Sequence, residues 1–366
     1  MPLIDFKSLF SGLISALTER EKDVLHQRYQ LSNELKERAT LKEIGDRYSI
    51  TRERVRQIER DAINKLLNQK KEDAYRTQLQ TLENALVEYL EKNGGLVDHN
   101  NLFSEFVAKN FDLSHYNENA YHFVFEQLFE NVEKIENHDH FENIWIVKDF
   151  NVEGIASWLN NLKAKINELN ALHEKEKVIA LAREILTEQI KADLEKLLNK
   201  HSDSTLEKFI ETYLRSSRHL DENILGQWGL SEWDSVNPRK LGDKIHLIFE
   251  QVKNPLHFRD IAQKINEAKF DHKNICPATV HNELIANDKY VLIGRGIYAL
   301  KDWGFEEGTV ADVVSRILQE AGKPLSKDEI IQRVMDRRKV NKSTIYLTLI
   351  NKDKFNKSKE GFSLKK

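Results

Sequence analysis

The stretch that decides the fold of the N-terminal part is residues 40–67, TLKEIGDRYSITRERVRQIERDAINKLL. Its apolar residues recur every three to four positions, the spacing of one helix face, and this pattern breaks once near residues 49–51. Thr51 is a favoured N-cap, and charged residues crowd the turn that follows it. The stretch therefore predicts a helix-turn-helix, in which the second of two short helices enters the major groove of DNA.

The start of the predicted second helix carries side chains suited to reading base edges. Four of them share one outward face: Arg52, Glu53, Arg56 and Gln57. Arginine can bond bidentately to guanine, glutamine can bond to adenine, and glutamate can accept a hydrogen bond from cytosine N4. Arg54 and Arg60 lie beside this face, so we expect them to meet phosphates. The alternative is an ordinary surface helix with Arg–Glu pairs.

These residues resemble region 4 of the bacterial primary sigma factors, whose recognition helix carries a TRERVRQIE-type signature. LTEREKDVLHQRY, residues 17–29, resembles the first helix of the same region. In that family the domain reads the −35 promoter element and rests on the flap of RNA polymerase. The resemblance covers residues 15–70 and implies base contacts at the four residues named above. It also implies backbone contacts at Arg54 and at the helix start, around Thr40 and Lys42.

The resemblance stops at this one region. A full sigma factor also has aromatic-rich helices that melt the −10 element, and about a dozen residues precede the module in this sequence. The rest of the sequence offers no such helices. We therefore expect a chain that binds a promoter-like site without opening it.

An internal repeat organises the C-terminal part. NPLHFRDIAQKI, residues 254–265, parallels KPLSKDEIIQRV, residues 323–334. The match continues at equal intervals through the pairs Thr279 and Thr344, Leu284 and Leu349, Tyr290 and Phe355, and Gly296 and Gly361. Each unit reads as helix, Pro-Leu turn, two helices and a short hairpin around glycine. This pattern predicts two winged helices.

A weaker third copy covers residues 79–150. GGLVDHNNLFSEFV stands for the Pro-Leu turn and the second helix, with one extra residue. Its third helix, NAYHFVFEQLF, carries no Lys or Arg, and its surroundings are acidic. A protein contact or a structural role is therefore favoured over DNA binding for this copy.

Residues 254–304 are similar to the HARE-type helix-turn-helix, a winged-helix module of the delta subunit of Gram-positive RNA polymerases, of chromatin regulators and of restriction systems. The PLHFRDIA opening, the P-x-T-V third helix and the GRGIYAL wing carry this resemblance. The module has been linked to DNA and to protein partners. The exposed candidates for DNA contact are His281, Asn282 and Arg295. In the last copy a phosphate-facing belt is expected, although these residues also fit a merely solvated surface: Arg337, Arg338, Lys339, Lys342, Lys352, Lys354, Lys357 and Lys359.

The remaining segments predict a spacer and a linker. Apolar periodicity over residues 152–215 predicts two or three amphipathic helices, and residues 219–244, with Trp228 and Trp233, look like an irregular linker that docks on the central winged helix. The expected fold is mainly α and multi-domain. The expected domains are a sigma region 4-like helix-turn-helix, an acidic winged helix, a helical spacer, a HARE-type winged helix with its linker, and a basic winged helix: residues 1–71, 72–151, 152–218, 219–305 and 306–366.

Charge and composition narrow the function class. The net charge of −3 is the sum of unlike segments: about 15 basic and 11 acidic residues over 1–71, about 5 and 16 over 72–152, and about 13 and 5 over 323–366. The 14 glycines and 5 prolines are too few for a strand-rich sandwich. One cysteine, no apolar run of membrane-spanning length and no basic leader favour the cytoplasm.

Motifs for catalysis are missing from the sequence, so we expect no enzyme and no cofactor. The histidines cluster at His99, His115, His122, His138 and His140. The HDH run in this cluster is better explained as a solvated strand edge than as a metal site. GRG at residues 294–296 lies in a wing rather than before a helix, so it is not a phosphate loop.

The sequence supports two functional hypotheses, with a specificity module for a DNA-modifying enzyme in trans as a remote third option. The first is a DNA-binding transcription factor of the bacterial RNA polymerase apparatus, located in the cytoplasm at the nucleoid. It would read a −35-like element in double-stranded DNA and use its winged helices to extend the contact with DNA or polymerase. The second is an accessory protein like the delta subunit, which competes with sigma at the flap and has little sequence-specific DNA contact. Neither involves a membrane or a small-molecule substrate.

Overall fold

A computed structural model of the chain describes residues 4–31, 37–271, 273–305, 308–337, 340–350, 354–358 and 361–365. The chain forms two compact units, Met1–Asp221 and Glu222–Lys366. Helices dominate both units, and the strands form small antiparallel sheets, so the expectation of a mainly helical fold is confirmed. The finer division into five domains stays a prediction.

The first unit begins with five helices: α1 Phe6–Ser15, α2 Glu19–Tyr29, α3 Leu41–Tyr48, α4 Arg52–Gln69 and α5 Asp73–Lys92. Three of them start at a threonine, because Thr18, Thr40 and Thr51 each accept a hydrogen bond from the backbone N–H three residues later. Ser49 takes a left-handed conformation and ends α3. The break that the sequence indicated near residues 49–51 is therefore the turn of a helix-turn-helix.

A small core holds α2, α3 and α4 together. Val24, Ile44, Val55 and Ile58 are buried in it. Gly45 allows the tight turn, since a Cβ at this position would lie 2.8 Å from the carbonyl oxygen of Ile50. These contacts fix which side of α4 faces inward. The opposite side of its first turns therefore faces outward.

Further along α4, a second and larger core begins. Ala62 and Leu66 are buried in it together with residues of α1, α5 and the segment that follows. The rings of Phe6 in α1 and Tyr121 stack with their centroids 4.0 Å apart. The helix-turn-helix and the acidic segment after it thus share one hydrophobic core.

That acidic segment has the element order of a winged helix: β1 Leu96–Asp98, α6 His99–Asn101, a π-helix Leu102–Val107, α7 Ala108–Asn110, α8 Glu118–Leu128, β2 Val132–Ile135 and β3 Ile144–Val147. The three strands form an antiparallel sheet in the order β1-β3-β2, with Leu96 opposite Ile146 and Val132 opposite Val147. A π-helical turn holds one residue more than an α-helical turn. The extra residue of this copy therefore coincides with a widened turn in its second helix.

Residues 152–216 form four helices, so the prediction of two or three was wrong: α9 Val152–Leu169, α10 Lys175–Glu184, α11 Glu188–Lys200 and α12 Leu206–Ser216, with a short strand, β4 His173–Glu174, before α10. The apolar periodicity runs across the breaks and hides them. Asn170 ends α9 in a left-handed conformation, while Thr187 and Thr205 cap α11 and α12. Thr187 and Thr205 are typical N-cap residues, and they are the signal in the sequence that indicates the additional helix starts.

The stretch 219–244 contains two strands, β5 Leu220–Glu222 and β6 Gln227–Leu230, so its prediction as irregular was also wrong. Asn223 makes the turn between them, because its side-chain oxygen accepts hydrogen bonds from the backbone N–H groups of Leu225 and Gln227 at 2.9 and 3.0 Å. Ile224 packs against the core of the winged helix that follows.

The central winged helix comprises α13 Leu241–Val252, β7 Leu256–His257, α14 Phe258–Ala268, α15 Pro277–Ala286, β8 Tyr290–Leu292, β9 Ile297–Leu300 and a 3₁₀ turn Lys301–Trp303. Its sheet has the order β7-β9-β8, the same arrangement as in the first copy. Ile248, Ile261, Val280 and Leu284 are buried between the three helices. The third helix, α15, is thus held by its Val280 and Leu284 side.

The last winged helix comprises α16 Val310–Ala321, α17 Lys327–Arg337, α18 Lys342–Leu349, β10 Phe355–Ser358 and β11 Gly361–Leu364. The two strands pair antiparallel, and Leu325 bridges to Phe362. Gly361 has a φ of +132°, and a Cβ on it would lie 2.3 Å from the carbonyl oxygen of Leu325. Only glycine fits there, which explains a glycine in this wing.

Candidate nucleic-acid interface

The candidate interface lies at the start of α4. Its inward residues, Val55 and Ile58, are buried against Ile44 of α3. The side chains around these two point outward: Arg52, Glu53, Arg54, Arg56 and Arg60 are exposed and Gln57 is half-buried. The four predicted base-reading residues are therefore accessible, on a helix whose orientation is set by its core contacts.

These side chains bond to one another in the free chain. Arg56 donates two hydrogen bonds to the carboxylate of Glu53, at 2.9 and 2.5 Å. Arg54 donates one to the side-chain oxygen of Gln57 at 3.0 Å. The bond from Arg56 lowers the pKa of Glu53, which is therefore ionised at neutral pH. Contact with a base edge would require Arg56 to exchange the Glu53 carboxylate for the base.

The pair of Arg56 with Glu53 is of the kind that the alternative interpretation of this stretch, an ordinary surface helix with Arg–Glu pairs, would show. The pair of Arg54 with Gln57 was missed. Its signal was the spacing of three residues, since side chains three apart are neighbours on a helix. The second pair also places Arg54 beside Gln57, at the edge of the outward face.

A polar network behind the interface ties α2 to α3 and α4. Asp23 accepts hydrogen bonds from Gln27 and from the hydroxyl of Tyr48. Arg47 donates to the side-chain oxygen of Gln27 at 2.7 Å, and Arg28 lies 3.5 Å from Glu59 of α4. These contacts position the two helices without using any of the outward residues.

The candidates for backbone contact differ in availability. The hydroxyl of Thr40 is engaged in the cap of α3, where it donates to Glu43 at 2.8 Å and accepts from the backbone N–H of Glu43. Lys42 and Arg60 are exposed. A phosphate at the start of α3 would therefore meet Lys42 and backbone N–H groups rather than the Thr40 hydroxyl.

In the central winged helix the candidate residues are only partly accessible. The ring of His281 is half-buried, and its centroid lies 4.6 Å from that of Phe258 and 5.9 Å from that of Tyr298. Asn282 on the same helix and Arg295, between β8 and β9, are exposed. His281 thus has a packing role in addition to any contact.

The basic belt predicted for the last winged helix is partly paired with acids. Arg337 lies 2.8 Å from Glu320, and Lys354 lies 3.6 Å from Asp312. Lys342 is exposed at the start of α18, and Lys357 is exposed in β10. The other members of the belt lie outside the described residues: Arg338, Lys339, Lys352 and Lys359.

Two of the clustered histidines, His99 and His122, lie close to each other and to Glu118. Within the described ranges, His99, Glu118 and His122 are the set with metal-like spacing. Trp145 donates its indole N–H to Nδ1 of His99 at 3.3 Å, which leaves Nε2 of this ring to donate to Glu118 at 2.8 Å. As placed, His99 and Glu118 are therefore joined by a hydrogen bond.

His122 is the buried member of this group. Burial lowers its pKa to about 2, helped by the nearby His99, and Nε2 of its ring has no hydrogen-bond partner in the described part of the chain. The HDH run does not form the strand edge that was predicted. His138 and His140 lie in the loop between β2 and β3, both half-buried.

Comparison with known proteins identifies the N-terminal domain. Residues 13–67 match the family model described as Sigma-70, region 4. The RNA polymerase sigma factor RpoD of Helicobacter pylori is 47% identical over 62 residues, which cover 17% of this chain and 9% of that protein. The RNA polymerase sigma factor SigA1 of Synechococcus elongatus is 49% identical over 55 residues, 15% of this chain and 13% of that protein.

The chain thus matches about a tenth of the length of these curated relatives. No solved structure matches it at a significant level. Among the residues that the structure describes, no helix is both long and apolar enough to span a membrane. Residues 13–67, from the end of α1 through most of α4, form a sigma-70 region 4 domain, a DNA-binding domain related to RNA polymerase sigma factors.

Proposed function

We propose that this chain is a transcription factor that binds double-stranded DNA in association with bacterial RNA polymerase and reads a −35-like promoter element through α4. The observation that carries the proposal is that the four base-reading candidates lie accessible at the start of α4, within a domain of the sigma-70 region 4 family: Arg52, Glu53, Arg56 and Gln57. The proposed place of action is the bacterial cytoplasm, at the nucleoid.

In the proposed complex the first turns of α4 enter the major groove. Arg56 leaves Glu53 and bonds to guanine, Gln57 uses its amide on adenine, and Glu53 accepts from cytosine N4. Arg52 completes the base-reading set. Lys42, Arg54 and Arg60 neutralise phosphates, so the affinity falls steeply as salt rises.

The winged helices extend this contact along DNA or polymerase. The resemblance of residues 254–304 to the HARE-type module supports such a role for the central copy, with Asn282 and Arg295 as its exposed residues. The function proposed for this chain is tethering and positioning, without opening of the DNA. It requires no cofactor and no small-molecule substrate.

The alternative is an accessory protein, similar to the delta subunit, that competes with sigma at the polymerase flap. One observation favours it: three of the four base-reading residues are paired within α4, Glu53 with Arg56 and Gln57 with the phosphate candidate Arg54. If those pairs persist on DNA, α4 offers little sequence-specific contact.

Selection of bound fragments from bacterial genomic DNA separates the two functions. The wild-type chain is expected to enrich a −35-like motif, and Arg56→Ala plus Gln57→Ala should lose it, because each base-reading pair contributes about 1–3 kcal/mol of discrimination. The matched control is Arg76→Ala plus Gln78→Ala, which removes the same residue types from the exposed side of α5.

The outcomes are distinct. Loss of the motif in the α4 variant, with the motif kept in the α5 control, supports promoter reading. A wild-type chain that enriches no motif but co-purifies with polymerase contradicts it and supports the accessory role.

A further inference from the structure

The third helix of the last winged helix is apolar on two sides. Ile345 and Leu349 are buried in the core of this module. On the outside, Tyr346 is 38% exposed, Leu347 69% and Ile350, directly after the helix, 48%. Adjacent apolar side chains that remain this exposed indicate a contact surface rather than scattered surface residues. We call these three residues the α18 outer face.

The α18 outer face is continuous. Tyr346 and Ile350 are four residues apart, so they lie one above the other, and Leu347 lies beside them. Lys342 precedes Tyr346 by the same interval, and the ammonium group of Lys327 lies 4.1 Å from the centroid of the Tyr346 ring. The face therefore combines an apolar centre with basic edges.

The internal repeat allows the outer face of α18 to be compared with the same positions on α15. Thr279 and Leu284 of α15 correspond to Thr344 and Leu349 of α18. By the same register, His281 and Asn282 of the central copy correspond to Tyr346 and Leu347. Asn282 on α15 thus corresponds to a leucine on α18, and His281 to a tyrosine whose ring lies under Lys327. Leu347 cannot read a base edge by hydrogen bonds, so this face of α18 is less suited to base reading than that of α15.

Charge indicates the chemistry of the partner. The sequence of α18 holds no acidic residue, and residues 323–366 carry about 13 basic and 5 acidic side chains. A second copy docked face to face would bring like charges together. In the acidic segment 72–151, no large hydrophobic side chain of the described residues is exposed, so that segment of another copy lacks the apolar half of the contact.

The third helix of one winged helix in this chain is covered by another domain of the same chain. In the first winged helix, Phe123 of α8 packs against Tyr29 of the region 4 domain, with ring centroids 4.8 Å apart. Just before α8, the side chain of Asn117 donates to the backbone oxygen of Gln30 at 2.7 Å. We propose that the α18 outer face binds an acidic amphipathic helix of a partner protein, independently of whether α4 reads a promoter.

Fluorescence anisotropy with the full chain tests this. The probe is a labelled peptide of about 20 residues with leucine at every third or fourth position and glutamate elsewhere. Two matched peptides replace the glutamates by lysine or the leucines by serine. Wild type is expected to bind the first peptide only. Leu347→Ser plus Ile350→Ser should weaken binding about tenfold or more, since both side chains lose their burial in the complex.

Two further variants sharpen the result. Lys342→Glu should weaken binding of the acidic peptide by about threefold or more at low salt, because a basic edge becomes acidic. Ile285→Ser, at the position on α15 that corresponds to Ile350 and is 66% exposed, is the control and should leave binding unchanged.

The proposal is overturned if wild type does not bind the acidic peptide, or if the double variant binds it as tightly as wild type. It is also overturned in favour of a DNA interface if a random-sequence duplex competes with the peptide and the double variant weakens duplex binding equally. The exposed positions leave the fold intact, which an unchanged melting temperature of each variant would verify.

Discussion

α4 and α18 are both packed through one apolar side, but they present opposite chemistry outward. α4 is held by Val55 and Ile58 and shows a row of arginines with Glu53 and Gln57. α18 is held by Ile345 and Leu349 and shows Tyr346, Leu347 and Ile350. The inner side fixes each helix in its module, and the outer side decides what it can bind.

α8 is the intermediate case. It belongs to a winged helix like α18, yet its surface is covered by α1 and the region 4 domain, through contacts such as Phe6 with Tyr121 and Tyr29 with Phe123. The outer side of these three helices is therefore charged in α4, covered in α8 and apolar in α18. Similar small helical scaffolds thus carry different binding chemistry.

The largest effect is expected on the free energy of unfolding, when a variant on the buried side of α18 is compared with one on its exposed side. Ile345→Ala leaves a cavity in the core and should lower the free energy of unfolding of this module by about 2–4 kcal/mol. Leu347→Ala, on the outer face, should change it by about 0.5 kcal/mol or less. Urea unfolding of both variants checks this. Equal losses would show that Leu347 is a core residue and would remove the basis for a contact surface.

A second test concerns the covered helix, α8. His122 is neutral in the folded chain, because its pKa is lowered to about 2, whereas in the unfolded chain it titrates at its ordinary value near 6.5. Below pH 6.5 the unfolded state therefore binds a proton that the folded state does not. His122 therefore lowers the free energy of unfolding as pH falls, by about 2 kcal/mol between pH 7 and pH 5.

His122→Phe should abolish this part of the pH dependence of unfolding, as measured by urea denaturation at both pH values. The control is His115→Ala, because His115 is exposed. A variant at position 122 with the same pH slope as wild type would show that His122 is accessible to protons, and that α8 is not firmly covered.

The smallest effect is expected on α4. Glu53→Gln removes the carboxylate that holds Arg56 and repels phosphate, so affinity for a random-sequence duplex should rise about threefold to tenfold. Discrimination at one base pair should fall at the same time. Filter binding at two salt concentrations measures both. Unchanged affinity of the Glu53→Gln variant would indicate that α4 does not face DNA. The difference between the outer sides of α4 and α18 would then not reflect different binding partners.

Local signals in the sequence sufficed for the helix-turn-helix and the wings. The cap at Thr51 and the apolar spacing of Ile44, Val55 and Ile58 place α3 and α4, because those residues make contacts near in sequence. The repeated glycines, Gly296 and Gly361, each take a positive φ at or just before the start of the second strand of a wing, which is a local demand of the hairpin. Such features need no knowledge of the distant chain.

What depends on distant contacts could not be predicted. The stacking of Phe6 on Tyr121, and the meeting of His99 with Glu118, join residues far apart in the chain, and single-sequence spacing does not show them. The outward position of Leu347 is similar: an apolar residue between two buried ones looks like core until the packing is known. The base-reading role of α4 stays a prediction.

The π-helix Leu102–Val107 has a consequence for how these modules can diverge. An added residue rotates all later residues of a regular α-helix by about 100° around its axis, yet the sheet of this copy has the same strand order as that of the central copy, β1-β3-β2 and β7-β9-β8. The widened turn confines the insertion to one point of one helix. Copies of the module can therefore gain single residues inside a helix, away from any loop, and keep the strand order of the wing.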